Sequence, residues 1–218
     1  MSGPAPDEGV AASGALSEAS PWVATRAGKI GMWVFIATDA MGFGGLLLAY
    51  AALRVRAPAW PDPAGRFDLG LAAALTFVLL ASGATMSAAV AAARDGRYRA
   101  ARILVALTAL AGIIFVAGQA SEFHTLASGH HVGLVADHAA ALFYVIAGYH
   151  GLHVLVGVVV LATVGAGRAR QAGPADRSAP PPDCGALEVA ALYWQFVDAV
   201  WIVLFTVLYL VPPVMHGR

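Results

Sequence analysis

Five side chains could do chemistry because of where they lie: Asp39, His150, His153, Gln195 and Asp198 are ionisable or strongly polar, yet each is set deep inside an otherwise apolar run. A charged group at the centre of a bilayer costs at least about 2.5–3.5 kcal/mol on insertion scales, so each residue retained there implies a partner or a task. His150 and His153 are three apart and share one helix face, as do Trp194, Gln195 and Asp198. A carboxylate on one helix facing an imidazole on the next satisfies both. Haem or metal ligation by the two histidines is the sharper reading, but the axial ligands of one haem approach from opposite faces, which normally takes two helices. Interhelical hydrogen bonding is therefore the expectation for them. For Asp39 and Asp198, structural pairing and a proton- or lipid-linked role both stand open. Gln119 and Glu122 share a face at the end of a third apolar segment and are expected to satisfy each other or an adjacent loop. His124, His130 and His131 are expected to be solvated.

The elements that must position these groups follow from composition. The chain has 218 residues, 59% hydrophobic and 12% charged, against a usual 45–50% and about 25%. Its mean hydropathy is +0.72. Such a chain belongs in a membrane. About 20 apolar residues cross a bilayer as a helix, and five segments qualify: 30–53, 70–93, 101–120, 139–166 and 187–211. The fold class is thus all-α, a polytopic five-transmembrane-helix bundle over 29–218. A mobile, uncleaved tail is expected over 1–28, which lacks the basic and apolar regions of a signal peptide. Small residues such as Gly42, Gly44, Gly45, Ser82, Gly83, Gly148, Gly151 and Gly157 suit close helix packing.

Charge sets the expected orientation and excludes one class of partner. Thirteen basic residues balance thirteen acidic ones, so the chain has no net field for a nucleic-acid backbone. Arg26, Lys29, Arg94, Arg97, Arg99, Arg102, Arg168, Arg170 and Arg177 fall on one side of the expected bundle. Arg54, Arg56, Arg66 and Arg218 fall on the other. Cytoplasmic loops retain basic residues, which puts the N-terminus inside and the C-terminus outside. The single cysteine, Cys184, forbids an internal disulfide and any site needing two thiolates.

Four stretches carry a resemblance: GMWVFIATDAMGFGGLLLAY (31–50), GQASEF (118–123), FYVIAGYHGLHVLVG (143–157) and ALEVAALYWQFVDAVWIVLF (186–205). Together they resemble subunit III of the haem-copper oxidases. HGLHV followed by YWxFVDxVW is a specific pairing. The resemblance implies a non-catalytic subunit without a redox or metal centre, its haem and copper held by the catalytic subunit I. It also implies packing on subunit I and on subunit II, phospholipid bound between helices, and support of proton uptake and turnover stability in a bacterial inner membrane. The positions it transfers are Asp39, Gln119, Glu122, His150, His153, Trp194 and Asp198. Asp39 replaces the family's usual glutamate, Gln195 replaces a usual histidine, and two N-terminal helices of the seven-helix form have no counterpart. Five-helix forms are similar to those of quinol oxidases, some bacterial cytochrome oxidases and a homologue associated with nitric oxide reductase. That last association is one alternative. Another, from a different class, is a small proton-coupled transporter, against which stands the want of an internal repeat.

Overall fold

The structure, a computed structural model, describes residues 21–57, 60, 68–129, 138–171 and 184–211. Five helices cover almost all of them. They are α1 (Pro21–Arg56), α2 (Leu69–Arg94), α3 (Tyr98–Gly129), α4 (His138–Gln171) and α5 (Gly185–Phe205), the last continued by a π-helical turn, Thr206–Leu210. All five are long and apolar enough to cross a membrane. Helices run beyond the segments expected from hydropathy because polar residues prolong them past the apolar run. α1 takes in residues 21–28 of the expected tail, and α3 continues nine residues past the expected end at 120. Residues 1–20, His130, His131, Arg66, Arg177 and Arg218 lie outside the described residues.

Local signals fix the ends. Asp68 caps α2 by accepting a hydrogen bond from Leu71 N at 2.9 Å. α2 closes at Asp95-Gly96, where Gly96 has φ 75° and the Arg97 N–H returns to Ala92 O at 2.8 Å. Glycine takes that left-handed conformation without steric cost, so α2 and α3 form a tight hairpin.

α5 packs on α1, α2 and α4, α3 packs on α2 and α4, and α1 rests chiefly on α5 and, over fewer residues, on α4. The core centres on Trp194, which is fully buried. A Cβ at Gly112 of α3 would stand 2.6 Å from Trp194 Cη2, and one at Gly157 of α4 would stand 2.9 Å from Cε3. Two glycines on different helices thus form the slot for one indole. In lipid, where apolar surface gains little by leaving its surroundings, such close packing and interhelical hydrogen bonds hold the bundle. Phe77, Leu152 and Val159 accordingly point outward.

Candidate functional site

The polar layer divides among three interfaces. Between α1 and α4, Tyr149 Oη donates to Asp39 Oδ1 at 3.0 Å, and His153 Nε2 lies 3.2 Å from Asp39 Oδ2. His153 Nδ1 lies 2.8 Å from the Tyr149 carbonyl one turn back, and Tyr193 Oη of α5 donates to the His153 carbonyl at 3.0 Å. A ring nitrogen facing a carbonyl carries the hydrogen, which fixes Nδ1 as the donor. The remaining contact is then attractive only when one proton sits on Nε2 or on Oδ2. Phe43 packs on both Tyr149 and His153, with ring centroids 4.9 and 5.3 Å away.

Between α5 and α2, Trp194 Nε1 donates to Ser82 Oγ at 2.9 Å. Gln195 Nε2 donates at 2.9 Å both to the Gly83 carbonyl and to Ser87 Oγ. Asp198 lies against Gly83, in the space that a side chain there would fill. It is buried, and its Oδ1 has no hydrogen-bonding partner among the described residues. One turn on, Trp201 Nε1 donates to Thr76 Oγ1 at 2.8 Å. Trp194, Gln195 and Asp198 thus all face α2, as their spacing implies.

The third group lies among α3, α4 and α5. Glu122 Oε2 accepts from Tyr209 Oη, in the π-helical turn, at 2.7 Å. Gln119 and His150 are buried nearby. α3 runs on past Gln119 and Glu122, so both are interior residues; Glu122 meets the backbone of Asp68, in the loop before α2, and reaches across to Tyr209 beyond α5. His150 and His153 sit one turn apart but serve different neighbours. His153 turns to Asp39 on α1, whereas His150 stacks on Trp201 of α5 with centroids 5.0 Å apart.

Spacing alone did not point to Tyr149, Tyr193, Tyr209 or Ser82, although hydroxyl groups on helices that already carry Asp39, Glu122 or Trp194 partners were a usable signal. It also left out Glu188, which joins three helices by pairing with Lys29 of α1 and with Arg94 of α2, the latter at 2.7 Å. At the opposite end, Arg54 Nη2 donates to the Val211 carbonyl at 2.7 Å, tying α1 to α5 again. His124 is exposed on α3. Among the described residues no three His, Cys, Asp or Glu side chains gather as a metal-ligand set.

Fold and site together define a five-helix membrane bundle whose intramembrane polar groups join helices to one another. A family model described as cytochrome c oxidase subunit III matches residues 9–212, which takes in all five helices. The chain is 37% identical over 182 residues to cytochrome c oxidase subunit 3 of Synechocystis sp., covering 83% of this chain and 74% of that one. It is 32% identical to the Thermostichus vulcanus protein of the same name, with 83% and 86% covered. With the probable cytochrome c oxidase subunit 3 of Mycobacterium tuberculosis it shares 35% identity, over 84% and 87%. The chain belongs to the cytochrome c oxidase subunit III family, the non-catalytic third subunits of the respiratory haem-copper oxidases.

Proposed function

We propose that this chain packs on the haem- and copper-bearing subunit I of a respiratory oxidase, with subunit II in the same complex, and sustains proton uptake and active-site lifetime while oxygen is reduced. The observation that carries the reading is the deployment of the polar layer. Asp39, His153, Trp194 and Gln195 are each engaged in bonds between helices rather than gathered around a reactive centre. A bundle so built is a support. Asp39, Gln119, Glu122, His150, His153, Trp194, Gln195 and Asp198 serve it as structural or lipid-adjacent groups.

Phospholipid is the second component of the proposal. A cleft of about 370 Å³ between α1, α2 and α5 is lined by Lys29, Trp33, Arg94, Glu188 and Gln195 among others. Lys29 and Arg94 share the one carboxylate of Glu188, which leaves the cleft a net positive charge that suits a phosphate headgroup, and its apolar wall suits an acyl chain. In a bacterial inner membrane, the excess of basic residues around Lys29 and Arg94 supports a cytoplasmic position for that end, with the C-terminus outside.

Oxygen consumption by the partner complex, purified with and without this chain, tests the role. The depleted complex should start at nearly the full rate and inactivate after fewer turnovers. Equal lifetimes would refute the supporting role and direct attention to nitric oxide reductase as the partner enzyme. Native mass spectrometry of the complex should show retained phospholipid, reduced when Lys29 and Arg94 are both replaced by glutamine.

A further inference from the structure

The interior shared by α3, α4 and α5 holds polar side chains that neither the Asp39 cluster nor the α2–α5 bonds use. Gln119, Glu122 and His150 are 4%, 5% and 0% exposed. His150 lies between Trp201, which it stacks on, and Phe115, which meets it edge-on with centroids 5.6 Å apart. Gln119 Oε1 reaches α4 beside His150: it stands 3.1 Å from where a Cβ of Gly151 would be. Glu122 is one turn along α3 from Gln119; its carboxylate meets the backbone of Asp68, and Oε2 is bonded to Tyr209.

Five atoms of this group are buried without a hydrogen-bonding partner among the described residues: both ring nitrogens of His150, both amide heteroatoms of Gln119, and Glu122 Oε1. They are of both kinds. A neutral imidazole has one donor and one acceptor, and an amide has two N–H donors beside its carbonyl oxygen. Buried polar side-chain atoms in folded proteins overwhelmingly have partners, so five such atoms in one locality point to a ligand that both donates and accepts. Water does so, and it is small enough for an interior lined by Phe115 and Trp201. A buried water typically makes about three hydrogen bonds, which a cluster of five unmatched atoms can supply.

We propose that the interior around Gln119, Glu122 and His150 is an internal water site, with ordered water bridging the Gln119 amide, the His150 ring and Glu122 Oε1. The water joins α3 to α4, where no direct bond between these side chains does so, and extends the Glu122–Tyr209 bond into a network reaching the middle of α4. A glycine at 151 leaves the Gln119 amide room to take part.

Pulsed radiolytic hydroxylation of the full chain in phospholipid nanodiscs tests this, because radicals formed from a bound water label the side chains next to it. Trp201 and Trp194 are both at most 2% exposed, but only Trp201 borders the proposed site. Trp201 should be labelled several-fold faster than Trp194, and equal, slow labelling of the two would overturn the proposal. The second measurement is the melting temperature of Gln119→Leu. If water occupies the site, leucine removes an anchor and leaves the water and His150 poorly matched, lowering the melting temperature by about 2–4 °C. If the site is dry, the same change removes three unmatched groups, so an unchanged or raised melting temperature overturns the proposal.

Discussion

α1 and α5 cross the same bundle and are held in different ways. α5 buries Leu187, Ala190, Trp194, Val197, Trp201 and Leu204, a stripe on nearly every turn, against the helices around it. α1 buries Phe43, Tyr50 and Arg54 among its described residues, and leaves Met41 78% and Leu48 73% exposed. In water the second arrangement would fail, because exposed apolar area would drive the helix elsewhere. In lipid that penalty vanishes, and polar ties at three heights suffice: Lys29 with Glu188, Asp39 with Tyr149 and His153, and Arg54 with the Val211 carbonyl. Packing holds the interior, and a few polar contacts hold the edge.

The contrast is sharpest at Trp194. Trp194→Ala empties the slot between Gly112 and Gly157 and leaves the Ser82 hydroxyl without its donor. The cost should be about 3–5 kcal/mol, the range for large aromatic truncations in packed interiors. Thermal unfolding of the chain in nanodiscs should show a cooperative loss affecting all of α2 to α5. A melting temperature within a degree of the parent would mean that the central indole does not organise the bundle.

Asp39→Ala should act on the edge instead. It strands the Tyr149 hydroxyl and removes the partner of His153 Nε2, at a cost of about 1 kcal/mol in a membrane interior. Hydrogen exchange should quicken at α1 amides while α2 to α5 keep their protection. Asp39→Asn, which still accepts from Tyr149, should give a smaller change. Uniform loss of protection across all five helices would erase the distinction between edge and interior.

Much of this was legible in the sequence, because hydropathy needs no knowledge of neighbours. The five spans follow from composition, and the common face of Trp194, Gln195 and Asp198 follows from helical period. The pairing of an intramembrane carboxyl with an imidazole was readable as a need, and Asp39 with His153 meets it. Period could not say which of two histidines one turn apart turns toward α1, since that depends on the rotation of α4 within the bundle. Nor could it follow α3 past residue 120, because the polar residues that prolong the helix end the hydropathy signal before the helix itself ends. Glu122 read as a loop-side residue, and it does meet the backbone of Asp68; what composition does not announce is its bond to Tyr209, in a π-helical turn.

The smallest effect on the isolated chain is expected at Gly45, on the open side of α1. A Cβ there would meet nothing within 4 Å, so Gly45→Leu introduces no clash and removes the conformational freedom that makes glycine a weak helix residue. The stability of the isolated chain should shift by no more than about 0.5 kcal/mol. In the oxidase complex the same leucine projects outward beside Met41 and Leu48, and the outcome depends on what lies there. Lipid chains rearrange around one added side chain, whereas a packed protein surface does not. If the open side of α1 is the face applied to subunit I, Gly45→Leu should lower the amount of this chain retained when the complex is purified, with no change in its melting behaviour alone. Undiminished retention would assign that face to lipid and move the contact with subunit I to α2, α3 or α4. The polar ties of α1 would then serve only to fasten the helix to its own bundle, and the contrast with α5 would concern the inside of this chain alone.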